Sequence, residues 1–275
     1  MTQPLWRRAA KHAKLLLYRG ATPFDRVWQR NTPTILPPAH LRLYYYGTLR
    51  PERFARSCET AALELTSRGL KPEHRVLDIG SGLGNLALGL TSYLRGAYHG
   101  VEVHPEAARW CRTAITRRHP RFEFHHADLI SNAYNPRGRL PAAAYRFPFA
   151  DHTFDFVFLS SVFTHMLPDG VEHYLGEISR LLAPGGTCVE SYFLLNEQTR
   201  PGVEAGRSFM SFDVRHPSGL CRVHDANTPE AAVALEEAFV QRIHDQTGLR
   251  IQDVRRGGWW SGEAHQQDVI TSRKP

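Results

Sequence analysis

The chain has 275 residues, 42% of them hydrophobic and 22% charged, enough for one large domain with a substantial core. No apolar run approaches the roughly 18–20 residues of a membrane span, and the four cysteines include no CxxC pair, so neither a zinc site nor a disulfide framework is signalled. The formal charge is +7, yet residues 1–30 hold seven Lys or Arg against Asp25 alone, which leaves the remainder close to neutral and argues against a catalytic face that grips nucleic acid.

The N-terminal surplus is concentrated in residues 5–19. On a helix of about 3.6 residues per turn, Arg7, Arg8, Lys11 and Lys14 gather on one side and Trp6, Ala9, Ala10, Ala13, Leu16 and Leu17 toward the other. Such a segment either lies on an anionic membrane surface or packs its apolar side on the protein. The N-terminus shows no apolar stretch followed by a small-residue cleavage site, so a cytoplasmic protein is expected, with residues 5–19 as the one place for peripheral membrane contact. Residues 1–74 read as a helical cap, with a Pro-punctuated stretch at 32–38, the cluster Tyr44-Tyr45-Tyr46 and a helix over 51–68.

From residue 75 short β-branched or apolar runs alternate with helical stretches, the pattern of a parallel sheet with crossover helices. Strands are expected at 75–79, 98–103, 122–126, 154–160, 187–195, 249–255 and 267–272. Helices are expected at 84–94, 105–118, 170–182 and 229–247. The connection 196–228 is too long for a plain loop in a compact domain and reads as a lid or binding segment.

The sharpest signal is Val76-Leu77-Asp78-Ile79-Gly80-Ser81-Gly82-Leu83-Gly84-Asn85, an apolar strand that ends near an acid and runs through three alternate glycines into a helix. Glycines at such a turn let backbone approach a ligand, and the following helix start offers unpaired N–H groups. Asn85 stands where dinucleotide-binding turns carry a third glycine, which disfavours a nicotinamide cofactor. About twenty residues further on, Glu102 ends the second strand, placed to accept hydrogen bonds from ribose hydroxyls.

Five segments in order, VLDIGSGLGN, GVEVHPEA, HHADL, FPFADHTFDFVFLSSVFTHM and EISRLLAPGG, resemble the motifs of class I S-adenosylmethionine-dependent methyltransferases, especially those acting on small molecules and lipids. The resemblance covers about residues 70–195. It implies an α/β fold, a seven-stranded mostly parallel sheet with helices on both faces, in a domain over 75–275. It implies S-adenosyl-L-methionine as cofactor, with Gly80, Ser81 and Gly82 lining the methionine part and Asp78 holding its amino group. Glu102 would bind the ribose, Val103 would pack on the adenine, Asp128 would accept the adenine amino group, Leu129 would offer its backbone N–H, and Ser160 would touch the cofactor from below.

Methyl transfer from a sulfonium is an in-line displacement, so positioning is the main requirement and a hydroxyl acceptor gains from a general base. Ligands in open α/β sheets bind at the carboxyl ends of strands, where His165 follows the fourth strand. His165 is therefore the candidate base, although a loop-orienting role fits the same position. His216, Arg222, His224 and Asp225 are further candidates, as is the cluster Tyr44-Tyr45-Tyr46-Gly47, with Tyr46 placed to touch the cofactor's carboxylate end and His224 to act as base.

Base-directed methylation finds no support, since the fourth strand is followed by Ser160-Ser161-Val162 rather than an Asn/Asp-Pro-Pro-aromatic tetrad, and no cysteine follows a proline. The expectation is O-methylation of a small molecule, glycan or lipid, with N-methylation on the same fold close behind. A cofactor-binding protein without methyl transfer is the alternative. No metal and no nucleic-acid partner are expected.

Overall fold

The computed structural model describes residues 35–262 and 266–275. The basic segment 5–19 lies outside the described residues. In chain order the elements are α1 (Ala39–Tyr46), α2 (Pro51–Ser67), β1 (Val76–Ile79), α3 (Asn85–Leu90), β2 (Tyr98–Glu102), α4 (Pro105–Cys111) and β3 (Phe122–His126). They continue with β4 (Phe154–Leu159), α5 (Pro168–Leu181), β5 (Leu182–Tyr192), β6 (Leu194–Leu195), α6 (Arg200–Glu204), β7 (Val214–Arg215), β8 (Cys221–Val223), β9 (Val233–Glu236), α7 (Glu237–Thr247), β10 (Arg250–Arg255) and β11 (Asp268–Arg273).

The main sheet runs β10-β11-β5-β4-β1-β2-β3, and only β11 opposes the rest, pairing antiparallel with both β5 and β10. The expected seven-stranded, mostly parallel sheet is present. Neighbouring residues of a strand point to opposite faces. Leu77, Val157 and Leu159 accordingly join α5 and α7 residues such as Ile178 and Val240 on one face. Val76, Tyr98 and Phe156 join Leu86, Leu90 and Leu65 on the other. From β1 the chain moves outward to β2 and β3, then returns to place β4 on the other side of β1. The crevice beyond the ends of β1 and β4 is thus the topological switch point where such sheets bind ligands.

Two helices of the expected cap are seen. α1 ends at Gly47, whose φ of 64° closes the helix through an N–H donated to the Leu43 carbonyl. Leu36, Leu41 and Phe54 then pack against Leu83 and Ala107, which holds α1 over the glycine turn.

Residues 229–247 do not form one helix. Pro229–Ala231 is a single tight turn, Val233–Glu236 is β9, and only Glu237–Thr247 is helical. The Ala- and Glu-rich stretch has helical composition, but pairing with β8 overrides that local preference. The connection 196–228 contributes α6, β7 and β8, so it is built structure rather than a plain loop. β5 starts at Leu182, five residues before its expected start, and stops at Tyr192.

β6, β9, β8 and β7 form a second small sheet over a cluster of Phe193, Leu195, Val203, Phe212 and Trp259. One buried carboxylate ties it to the main sheet. Asp268 of β11 accepts from Leu194 N–H at 3.0 Å, Gly257 N–H at 2.9 Å and Trp259 Nε1–H at 2.7 Å.

Candidate functional site

β1 delivers its last residues into a turn that only glycine can make. Gly80 has φ 77° and Gly82 φ 55°, in the left-handed region where a side chain is strained. A Cβ on Gly80 would also stand 2.5 Å from Val162 Cγ2, and one on Gly82 would meet the Tyr45 ring at 3.4 Å. The turn wraps around Glu102, whose Oε2 accepts from Gly82 N–H at 2.6 Å. Its Oε1 accepts from His104 N–H at 2.7 Å and from the Tyr45 hydroxyl at 3.2 Å. Burial pushes the Glu102 carboxyl up, opposed by these hydrogen bonds.

Asp78 lies next to it, buried, and accepts a hydrogen bond from the Tyr98 hydroxyl. Its carboxyl is pushed up to about 7, by burial first and by the charge of Glu102 after, against the Tyr98 hydrogen bond. The buried Ser81 Oγ has no hydrogen-bond partner among the described residues. A buried hydroxyl without a partner is costly, and this one belongs to a residue that lines the cavity described next.

Asp78, Gly80, Ser81, Gly82, Glu102, Val103, Leu129, Ser160 and His165 all line one cavity of about 340 Å³. Of the sequence candidates for cofactor contact, Asp128 alone does not line it. Its carboxylate accepts from Asn135 Nδ2 at 3.0 Å and from Arg139 Nε at 2.5 Å, and the Arg139 hydrogen bond holds it below the usual carboxylate range. Leu129 N–H points back to the Ala127 carbonyl at 2.8 Å.

Beyond β4, Ser161 takes a φ of 56° and donates its N–H to Ser191 Oγ at 2.7 Å, fixing the turn that carries Val162 and His165. The His165 Nδ1 lies 3.2 Å from the Glu230 carbonyl oxygen. A carbonyl only accepts, so Nδ1 carries the proton and Nε2 is left as the basic nitrogen. Burial lowers the affinity of this imidazole for a second proton, against the backbone hydrogen bonds to Glu230 and Ala231. The ring is therefore neutral at pH 7, as a base must be.

Glu230 is one of the lining residues that the sequence did not single out, and Tyr45 belongs to the tyrosine cluster that it did. The Glu230 carboxyl is pushed up by burial and by the charge of Asp169, while Tyr45 reaches the site from α1. Tyr46 also lines the cavity. His216, Arg222, His224 and Asp225 do not: Arg222 pairs with Glu204 at 2.8 Å and His224 bonds to Ser211 at 3.0 Å. No Lys or Arg among the described residues lines the cavity, whereas Asp78, Glu102 and Glu230 do. The walls favour a cation.

Residues 77–189 match the family model described as "Methyltransferase domain", the segment that holds β1 through β5. An uncharacterized methyltransferase of Schizosaccharomyces pombe is 30% identical over 159 residues, covering 57% of this chain and 52% of the relative. The sterol 24-C-methyltransferase of the same organism is 29% identical over 148 residues, covering 54% of this chain and 34% of that one. An S-adenosylmethionine-dependent methyltransferase from Methanosarcina mazei has the same fold, with a TM-score of 0.51 at 21% identity over 76% of this chain and 96% of its own. Residues 77–189 thus match a methyltransferase domain, and the fold is one that S-adenosylmethionine-dependent methyltransferases share. It spans about half the length of the first curated relative and a third of the second.

The residues present fit the family's cofactor. S-adenosylmethionine carries a sulfonium and an ammonium beside a single carboxylate, a net positive charge, and the cavity offers carboxylates with no lining Lys or Arg among the described residues. The unpartnered Ser81 hydroxyl and the open glycine turn supply polar contacts and room for its methionine part.

Proposed function

We propose that the chain transfers a methyl group from S-adenosylmethionine to a hydroxyl of a small molecule, glycan or lipid. The observation that carries this reading is His165, a neutral imidazole lining the cavity with Nδ1 tied to a backbone carbonyl. Bound S-adenosylmethionine supplies an electrophilic methyl group. The chain's own residues position the acceptor, exclude water and take its proton at His165 Nε2.

In this reading Asp78 pairs with the ammonium of the methionine part, and Gly80, Ser81 and Gly82 line that part. Glu102 accepts from the ribose diol. A carboxylate has about four lone-pair directions, and three on Glu102 are used, so seating both ribose hydroxyls displaces Tyr45. Val103 packs on the adenine, Leu129 edges it, and Asp128, held by Arg139 and Asn135, frames that end rather than entering it. Ser160 supports the cofactor from β4. Met166, Ala142, Tyr174 and Glu230, which line the cavity with His165, form the acceptor end.

The apolar share of that end and the absence of a lining Lys or Arg among the described residues favour an acceptor without phosphate or carboxylate. The partial likeness to a sterol-methylating enzyme agrees with a lipid among the candidates. The described residues contain no helix long and apolar enough to cross a membrane.

The test is transfer of labelled methyl to a panel of hydroxyl, amine and carbon acceptors, with the product's methyl located by mass spectrometry. Glu102→Ala serves as the control, expected to weaken cofactor binding by ~1.5–3 kcal/mol. A methyl found on nitrogen or carbon overturns the hydroxyl reading. Wild-type affinity in Glu102→Ala overturns the ribose assignment.

A further inference from the structure

Away from the cavity, three side chains converge near the edge of the main sheet. His99 is the second residue of β2, and Glu123 and His125 are the second and fourth of β3. The parallel register sets His99 beside Glu123 and Val101 beside His125. Residues two apart share a face, so all three project from the same side.

His99 Nδ1 lies 3.1 Å from His125 Nε2 and 3.8 Å from Glu123 Oε2. One ligand atom from each of the three falls within 4.8 Å of the others. Tetrahedral zinc with bonds of ~2.0–2.1 Å to nitrogen and oxygen separates its ligand atoms by about 3.4 Å. The observed spacings bracket that value, so small side-chain rotations bring the donors onto a tetrahedron.

The two imidazoles are already oriented. Phe149 packs on both, with ring centroids 5.2 Å from His99 and 5.1 Å from His125, and Phe154 meets His99 at 5.7 Å. Glu123 is exposed, which leaves an entry path and room for water as a fourth ligand. None of the three lines the cofactor cavity. Arg112, near His125, is the one cation whose charge is felt there among the described residues.

We propose that His99, Glu123 and His125 form a binding site for a borderline divalent metal, Zn²⁺ above all, closed by one water. Two imidazoles and a carboxylate suit zinc, whereas Mg²⁺ and Ca²⁺ prefer all-oxygen sites. Because β3 is the edge strand, a bound ion cross-links it to β2 and braces the free edge of the sheet.

The experiment uses the full chain, stripped with a chelator and titrated with ZnCl₂ by calorimetry at pH 7, beside Glu123→Gln and His125→Gln. The chain has 15 histidines, so the readout is the event that saturates at one equivalent. Expected is one such event in the wild type with a micromolar or lower dissociation constant. It should weaken at least tenfold in Glu123→Gln and vanish in His125→Gln, and zinc but not Mg²⁺ should raise the wild-type thermal midpoint. Glu123→Gln alters an exposed side chain, so it keeps the comparison valid should His125→Gln fail to fold. Equal zinc binding by wild type and Glu123→Gln, or no event at one equivalent in the wild type, overturns the proposal.

Discussion

Lowering the pH through neutrality should weaken cofactor binding by a predictable amount, because the floor of the site holds a carboxyl that is only half ionised near pH 7. Burial pushes Asp78 up to about 7, and the nearby Glu102 adds to the shift against the Tyr98 hydrogen bond. A ligand ammonium beside Asp78 favours the ionised form, so its pKa is lower in the complex than in the free protein. Binding then expels a proton at low pH, and affinity rises with pH until Asp78 is ionised. Below pH 7 the affinity should fall about tenfold per unit, or ~1.4 kcal/mol per unit. The ligand's ammonium, beside its own carboxylate, stays protonated through this range, so affinity should level off once Asp78 is ionised. Calorimetry with S-adenosylhomocysteine, which has the same ammonium and no methyl to transfer, reads this directly from pH 5 to 8.5. Asp78→Asn keeps the shape of the side chain and removes its titration, so its profile should be flat between pH 5 and 7. A flat wild-type profile, or an Asn variant that keeps the wild-type slope, refutes the pairing of Asp78 with the ammonium.

Other outcomes follow from single contacts. Gly82→Val places a branched side chain at a φ of 55° beside the Tyr45 ring, and it should abolish cofactor binding while the circular dichroism spectrum persists; normal binding would show that the turn does not touch the ligand. His165→Ala should lower turnover about 10²–10⁴-fold with cofactor affinity unchanged, and full turnover on the methylated acceptor removes the base from this position. Asp268→Ala leaves three N–H donors, two of them in buried hydrogen bonds, without their acceptor, a loss of roughly 3–5 kcal/mol in chemical denaturation; a loss under about 1 kcal/mol would mean that the second sheet does not depend on that carboxylate.

The seven main strands and the glycine turn were legible because short apolar runs stop at polar or glycine-rich breaks. Glu102 was legible because it follows the glycines by about twenty residues at a strand end. The second sheet was not, since its strands are two to four residues long and β9 lies in an Ala- and Glu-rich stretch that favours a helix until β8 pairs with it. Glu230 stands in Thr-Pro-Glu-Ala, which reads as an ordinary helix start, and only the tight turn at Pro229–Ala231 brings it to His165. Tyr45 was seen within a tyrosine cluster, but its hydroxyl meets Glu102 only because α1 packs over the turn. Asp128 shows the reverse: its place in the motif was clear, and Arg139 and Asn135, eleven and seven residues later, decide where its carboxylate points. The pairing of His99 with His125 left no local pattern, because it is made by strand register across 26 positions.

The second sheet enters and leaves the main domain at one place. Only Phe193 separates β5 from β6, β9 runs straight into α7, and Leu195 of the entering strand sits beside Glu236 of the departing one. An insertion whose ends already touch adds little closure entropy to its host. It can therefore vary in length between those two ends at low entropic cost, while Leu194, Val223 and Leu235 stay packed in the core shared with the main sheet. Its sole known foothold in the cavity among the described residues is the turn carrying Glu230, so the taste of such an enzyme for new acceptors can drift through one short turn while its donor chemistry stays fixed.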